Sequence, residues 1–239
     1  DIFLGGVSGK GLGGGNALKR LEDTLGELQR DASANRLDGL ETVREFVISS
    51  NGLPQDASMQ RRLFAAACLC AADKNSRIAH KWLQFVHELV SQWGEGCVLA
   101  FPSLVPVCMK SLASNSSSVR KAAVQVLCTC AKVRDHDPEV IIRGVAEGLS
   151  SPDDKVRAEA CAALVTVYSS ARYKNAVAEA VVLQELVVPV VMERLRDRAP
   201  PVASTAAAAL SAVRQRAPDA FHVILMQLPQ ETQELFAKA

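Results

Sequence analysis

The sequence predicts an all-α fold, an α-solenoid of about five antiparallel helix pairs, each too small to bury both of its faces alone. Three observations carry that prediction. Apolar residues recur at offsets 0, 3, 4, 7, 8 and 11, the inner face of a helix. The pattern returns at a nearly constant interval, its segments beginning at Ile78, Val119, Val156 and Val202, which are 41, 37 and 46 residues apart. The composition suits thin layers of aliphatic residues: of 239 residues 49% are hydrophobic and only 5% aromatic. No strand-like alternation of useful length competes with this pattern.

The elements follow in order. Seven of the 14 glycines fall in the first 15 residues, so residues 1–16 read as a flexible lead-in. The array itself is expected over residues 17–218, with a helical segment capping it at 219–239. A first, looser pair is marked by Leu18, Leu21, Leu25 and Leu28, then Leu37, Leu40, Val43 and Val47. Leu63, Ala66, Ala67, Cys70 and Ala71 form the next first helix. Ile78, Trp82, Phe85, Val86 and Leu89 form its partner, with a lapse at Lys81. Leu104, Val107, Cys108 and Leu112 precede the complete template Val119, Ala122, Ala123, Val126, Leu127 and Cys130.

Ile141, Val145 and Leu149 come next, with Gly144 and Gly148 admitting a close neighbour. Val156, Ala160, Ala163, Leu164 and Val167 answer them, with a lapse at Glu159. Leu186, Val187, Val190, Val191 and Leu195 lead to Val202, Thr205, Ala206, Ala209, Leu210 and Val213. The two helices of each pair are joined by short polar turns, Asp73–Ser76, Ser114–Ser118, Ser151–Asp154 and Asp197–Pro200, whose Asp, Asn, Ser and Pro supply caps and stops. The 46-residue interval implies an insertion near Ser169–Val182.

Composition sets aside several functions. With 27 Lys+Arg against 26 Asp+Glu the net charge is +1, unlike the strongly basic footprint of a general nucleic-acid binder. The longest uncharged window, Ala199–Val213, is 15 residues long and Pro-interrupted, too short for a membrane span. No signal peptide stands at the start, and a chain opening on Asp1 is expected of a piece of a longer protein. The seven cysteines lie inside apolar runs in no scaffold spacing, which fits a reducing compartment.

Candidate chemistry is sparse. Gly9–Gly14 satisfies G-x-G-x-x-G, but a phosphate-binding turn needs a strand before it and a βαβ unit around it. A P-loop fails because Gly11 follows Lys10. Cys68 with Cys70 and Cys128 with Cys130 sit two apart on helices, so their thiols diverge by about 200°. His80 and His87 share a helix face about 10 Å apart, too far for one metal. His136 and His222 lack a nucleophile or carboxylate at triad spacing. Trp82 falls on an inner face, and Trp93 ends its helix beside Gly94. A phosphosite within Ser114–Ser118 competes with a plain capping turn. The expectation is therefore no enzyme, no cofactor, no metal and no small-molecule substrate.

Two segments, Pro102–Lys132 and Val140–Ser170, resemble HEAT repeats. Val119-Arg120 with Ala123 and Val156-Arg157 with Ala160 match the Val-Arg-x-x-Ala that opens the second helix, while Val202-Ala203 keeps only the Val. In this pattern the Arg often bonds an acidic turn residue of a neighbour, which is the reading favoured for Arg120 and Arg157. Asn35–Glu41, Asn75–Trp82 and Trp93–Glu95 leading into Pro102–Pro106 narrow the resemblance to TOG domains, HEAT arrays that bind tubulin. There the turns within pairs line one edge and touch tubulin.

That resemblance implies a non-enzymatic protein-binding module, cytoplasmic and cytoskeleton-associated. Its turn-edge candidates are Arg36, Lys74, Asn75, Lys155 and Arg198, and neither nucleic acid nor membrane is a partner. Two departures stand beside it. The first turn, Asp31–Asn35, has no Trp. The five turns carry five acidic and three basic residues, a net of −2, so the edge is not a basic steering surface. A general HEAT or armadillo scaffold binding through its concave groove is the alternative.

Overall fold

The computed structural model describes residues 14–30, 36–134 and 136–238, and among them there are helices and no strand. The chain divides into two compact units, Asp1–Ala66 and Ala67–Ala239. In the first, α1 (Gly14–Gln29) pairs with α2 (Arg36–Ser50). Leu21, Leu25 and Leu28 of α1 and Leu40, Val43 and Val47 of α2 are buried between them, while Leu18 is 44% exposed. Gly39 fixes the distance: a Cβ there would stand 2.8 Å from Leu28 Cδ2. Helix α2 stops at Asn51, whose φ of 50° turns the chain out and lets Gly52 N–H reach back to the Val47 carbonyl, a helix C-terminus closed by an Asn. The unit boundary falls within α3 (Ala57–Ala71).

The second unit continues with α4 (Ser76–Cys97), α5 (Phe101–Leu112), α6 (Ser117–Ala131), α7 (Glu139–Glu147), α8 (Asp154–Ser170), α9 (Ala176–Val182), α10 (Val188–Arg194), α11 (Pro200–Arg216), α12 (Pro218–Gln227) and α13 (Gln230–Lys238). Helices α4, α6, α8 and α11 pack one on the next, and α5 and α7 form a second layer continued by the stretch before α10. The template residues meet in the space between layers. Every member of the set from Val119 to Cys130 is at most 2% exposed, and Trp82 is fully buried. The fit loosens at Val156, which is half-buried.

Glycine permits the close approach in the second layer: a Cβ on Gly144 would collide with Val105 Cγ1. The run Ser76–Leu112 has a mean hydropathy of 1.3 in its most apolar window. Its axis nevertheless breaks at Trp93 (φ −127°, ψ 36°) and again at a 3-10 turn over Val98–Ala100, and Ile78, Trp82, Phe85, Leu89, Phe101 and Leu104 are core residues.

The long interval before Val202 has a visible cause. Five residues, Ala171–Asn175, follow α8, and α9 and α10 are joined by a π-helical turn over Leu183–Val187. A π turn adds one residue and rotates the rest of the helix by about 100°. Of the expected stripe, Leu186, Val187, Val191 and Leu195 are buried and only Val190 departs. Val190 is half-buried, and Val188 and Met192 take inward places. Tyr168 anchors this region. It is fully buried, donates to Glu179 Oε1 at 3.2 Å, and lies beneath the Arg216 guanidinium.

All seven cysteines are free thiols. Burial pushes Cys68 and Cys161 up to about 11 and Cys97 up to about 12, so none of the three is poised as a thiolate nucleophile.

Candidate functional site: the edge of intra-pair turns

The turn edge is built by caps first. Asn75 precedes α4 and accepts from Arg77 N–H at 3.0 Å. Asp153 does the same for α8, accepting from Lys155 N–H at 2.9 Å. Each cap satisfies an otherwise orphan amide.

Arginines then lock turn to turn. Arg120 donates through Nη1 to the Ser114 carbonyl at 2.8 Å, and its Nε lies 2.7 Å from Glu159 of the next pair. Arg157 repeats the device, donating through Nη1 to the Ser151 carbonyl at 2.9 Å and through Nε and Nη2 to both oxygens of Asp197 at 2.7 and 2.9 Å. Lys155 points the other way, donating from Nζ to Asn115 Oδ1 at 2.9 Å. These ties span 40 residues where Lys155 meets Asn115 and where Arg157 meets Asp197, one structural repeat each. The role read from the Val-Arg-x-x-Ala pattern is the geometry of Arg157 with Asp197, whereas Arg120 meets an acid inside α8, Glu159, rather than one in a turn. A two-pronged guanidinium–carboxylate pair with little exposure holds geometry better than a single surface contact.

Arg157 above all, with the Ala199 N–H beside it, holds the Asp197 carboxyl down at about 2, against its ordinary 3.8. A carboxyl that titrates lower in the folded chain stabilises fully above its unfolded value and loses that contribution as pH falls through the folded one. The unfolding midpoint in urea is therefore expected to separate wild type from Asp197→Asn at pH 6, with the difference shrinking between about pH 4 and pH 2.

The five sequence candidates differ in what they offer a partner. Lys74 and Arg198 are exposed, and neither makes an ion pair with a described residue. Asn75 is exposed but spends its side-chain oxygen on the cap. Lys155 is half-buried and tied to Asn115. Arg36 differs: it opens α2 in the first unit and is only 7% exposed, so its guanidinium offers a partner almost no surface. The first turn, Asp31–Asn35, lies outside the described residues.

The opposite ends of the same helices carry a second feature, which no sequence motif marks. A cleft of about 420 Å3 there is lined by His87, Glu95, Thr129, Lys132, Arg134 and Arg172 among others. Its one sequence signal is that Lys132 and Arg172 each follow the second helix of successive pairs, one repeat apart. Among the described residues no group of His, Cys, Asp and Glu is arranged to hold a metal ion.

Two kinds of likeness to known proteins stand beside this geometry. The family model for "Sister chromatid cohesion protein PDS5 protein" matches residues 73–222. No curated protein matches the sequence. Among solved structures, the MAST/Orbit N-terminal domain superposes with a TM-score of 0.69 at 16% identity, covering 90% of this chain and 93% of that one. A structure from work on TOG-tubulin binding specificity in microtubule dynamics and mitotic spindle formation gives 0.67 at 15% identity, covering 92% and 80%. Crescerin, which uses a TOG domain array to regulate microtubules in the primary cilium, gives 0.66 at 14% identity, covering 92% and 90%. At these identities the likeness is one of fold: a HEAT-repeat α-solenoid of the TOG type.

Proposed function

The chain belongs to the PDS5 family of HEAT-repeat proteins, and from that premise and its TOG-type backbone we propose that it is a non-enzymatic protein-binding module that docks tubulin or a microtubule-associated partner on its turn edge. In that role it is cytoplasmic and cytoskeleton-associated. The observation that carries the reading is the row of turns locked to one another by Arg120, Lys155 and Arg157. A surface fixed before the partner arrives loses little conformational freedom on binding.

With Arg120 and Arg157 committed internally, the exposed cations Lys74 and Arg198 are the contacts, assisted by Asn75 and by the stem of Lys155. On a solution column the wild-type chain is expected to co-elute with tubulin, and Lys74→Glu with Arg198→Glu to lose most of the complex. Full retention by that double variant removes the turn edge as the docking surface. The match to a cohesion-protein family over residues 73–222 favours a second reading, a general HEAT scaffold for another protein. That reading predicts no co-elution with tubulin by the wild type.

A further inference from the structure

We propose that the cleft at the ends of α4, α6 and α8 opposite the turn edge is a second docking site, and that it takes an acidic, Asp/Glu-rich peptide segment of a partner protein. The backbone makes the concavity. The break at Trp93 swings the last turn of α4 off its axis, and Gly94 lies against Val133, where a Cβ would stand 2.8 Å from Cγ2. Lys132 and Arg134 follow α6. Arg172 follows α8, and its own N–H donates to the Ala131 carbonyl at 3.0 Å, which pins that loop beside the end of α6.

Charge names the occupant. Three permanent cations, Lys132, Arg134 and Arg172, line the cleft with Glu95 as the acid, a local net of +2 on a chain whose total is +1. All three are exposed, and none makes an ion pair with a described residue. This is the reverse of the turn edge, where Arg120 and Arg157 are spent on Glu159 and Asp197. Cations at helix C-termini also complement the helix dipole. That role requires one per helix end and no concavity, whereas here the cations of two helix ends share one cleft.

Thr129 fixes the His87 ring at the cleft wall, and the donors for a carboxylate are the three cations. Thr129 Oγ1 gives its proton to the Gln125 carbonyl at 2.8 Å, so at 2.9 Å it accepts from His87 Nδ1–H. That leaves Nε2 as the ring nitrogen not used by Thr129. Guanidinium forks and an ammonium recognise carboxylates directly.

The test uses the whole chain and a fluorescein-labelled octaglutamate peptide, read by anisotropy in about 50 mM salt. Saturable binding is expected, with at least tenfold loss for Lys132→Glu/Arg134→Glu/Arg172→Glu. A twofold or greater gain is expected for Glu95→Gln, and no change for Lys74→Glu/Arg198→Glu. Raising salt to about 300 mM weakens the wild type, because exposed charge pairs are screened. Circular dichroism checks the fold of the triple variant, and the neutral single variants Lys132→Gln and Arg172→Gln carry the same comparison should it unfold. Absence of peptide binding, or equal binding by wild type and triple variant, overturns the proposal. So does displacement of the peptide by a ten-residue oligothymidylate at lower concentration, which would make the cleft a nucleic-acid site. Tubulin co-elution that survives the triple reversal is expected and leaves the turn-edge reading separate from this one.

Discussion

Trp82→Ala is expected to lower the stability of the folded chain by about 3–5 kcal/mol, the range for deleting a fully buried large aromatic side chain. Trp82 has no exposed surface, and its ring meets Phe85 edge-on with centroids 5.8 Å apart. It lies on α4, which packs on α6, and a void in a close-packed interior costs the contacts of its lining. In a chain of this length the loss corresponds to a fall in Tm of roughly 6–20 °C. Trp93→Ala is the comparison. Trp93 is half-buried at the break in α4, and the smaller loss expected there separates core packing from the general effect of removing an indole. A Trp82→Ala midpoint within about 1 kcal/mol of wild type would mean that α4 is not a core helix.

Gly144→Val is expected to destabilise by about 3 kcal/mol, at the top of the range for overpacking. A helix interior ordinarily gains about 1 kcal/mol when Gly becomes Ala, so sequence rules alone give even Gly144→Ala a stabilising sign. The structure reverses it. The new Cβ collides with Val105 Cγ1, and Val105 is β-branched, 6% exposed and stiff about χ1. Valine adds two further methyls to that contact. Gly148 is more forgiving, since its nearest obstacle is the flexible end of Met109. Gly26 of α1 has nothing closer than 3.9 Å, so Gly26→Ala raises the midpoint and serves as the internal control. Chemical denaturation of the three glycine variants gives the ordering directly.

The fold was legible because its signal is periodic and redundant. From Val119 to Cys130 every template position is buried, and a helix that buries one stripe against identical neighbours writes that stripe into its sequence repeatedly. The π turn at Leu183–Val187 was not legible. No residue type announces the extra residue, and its local effect is that Val188 and Met192 are buried where Val190 is not, while Val191 and Leu195 keep their inward places. The burial of Arg36 was not legible either. A position within a turn motif says where a residue sits along the chain and nothing about how much neighbouring chain covers it.

On the turn edge the sequence indicated which arginines are structural, because Val-Arg-x-x-Ala fixes their place in the pair. It did not separate Lys155, held by Asn115, from Arg198. The cleft cations were harder still, since Lys132, Arg134 and Arg172 read individually as ordinary charges between helices.

In the proposed binding mode, charges on the turn edge divide into those that hold repeats together and those left to meet a partner. Titrating tubulin against Arg157→Gln and Arg198→Glu tests it in one measurement. Arg157→Gln is expected to lower the unfolding midpoint and to weaken binding only about two- to threefold, through a less fixed turn, and Arg198→Glu to bind at least about tenfold more weakly with its midpoint unchanged. The opposite pattern, with binding lost at Arg157 and kept at Arg198, would contradict the account.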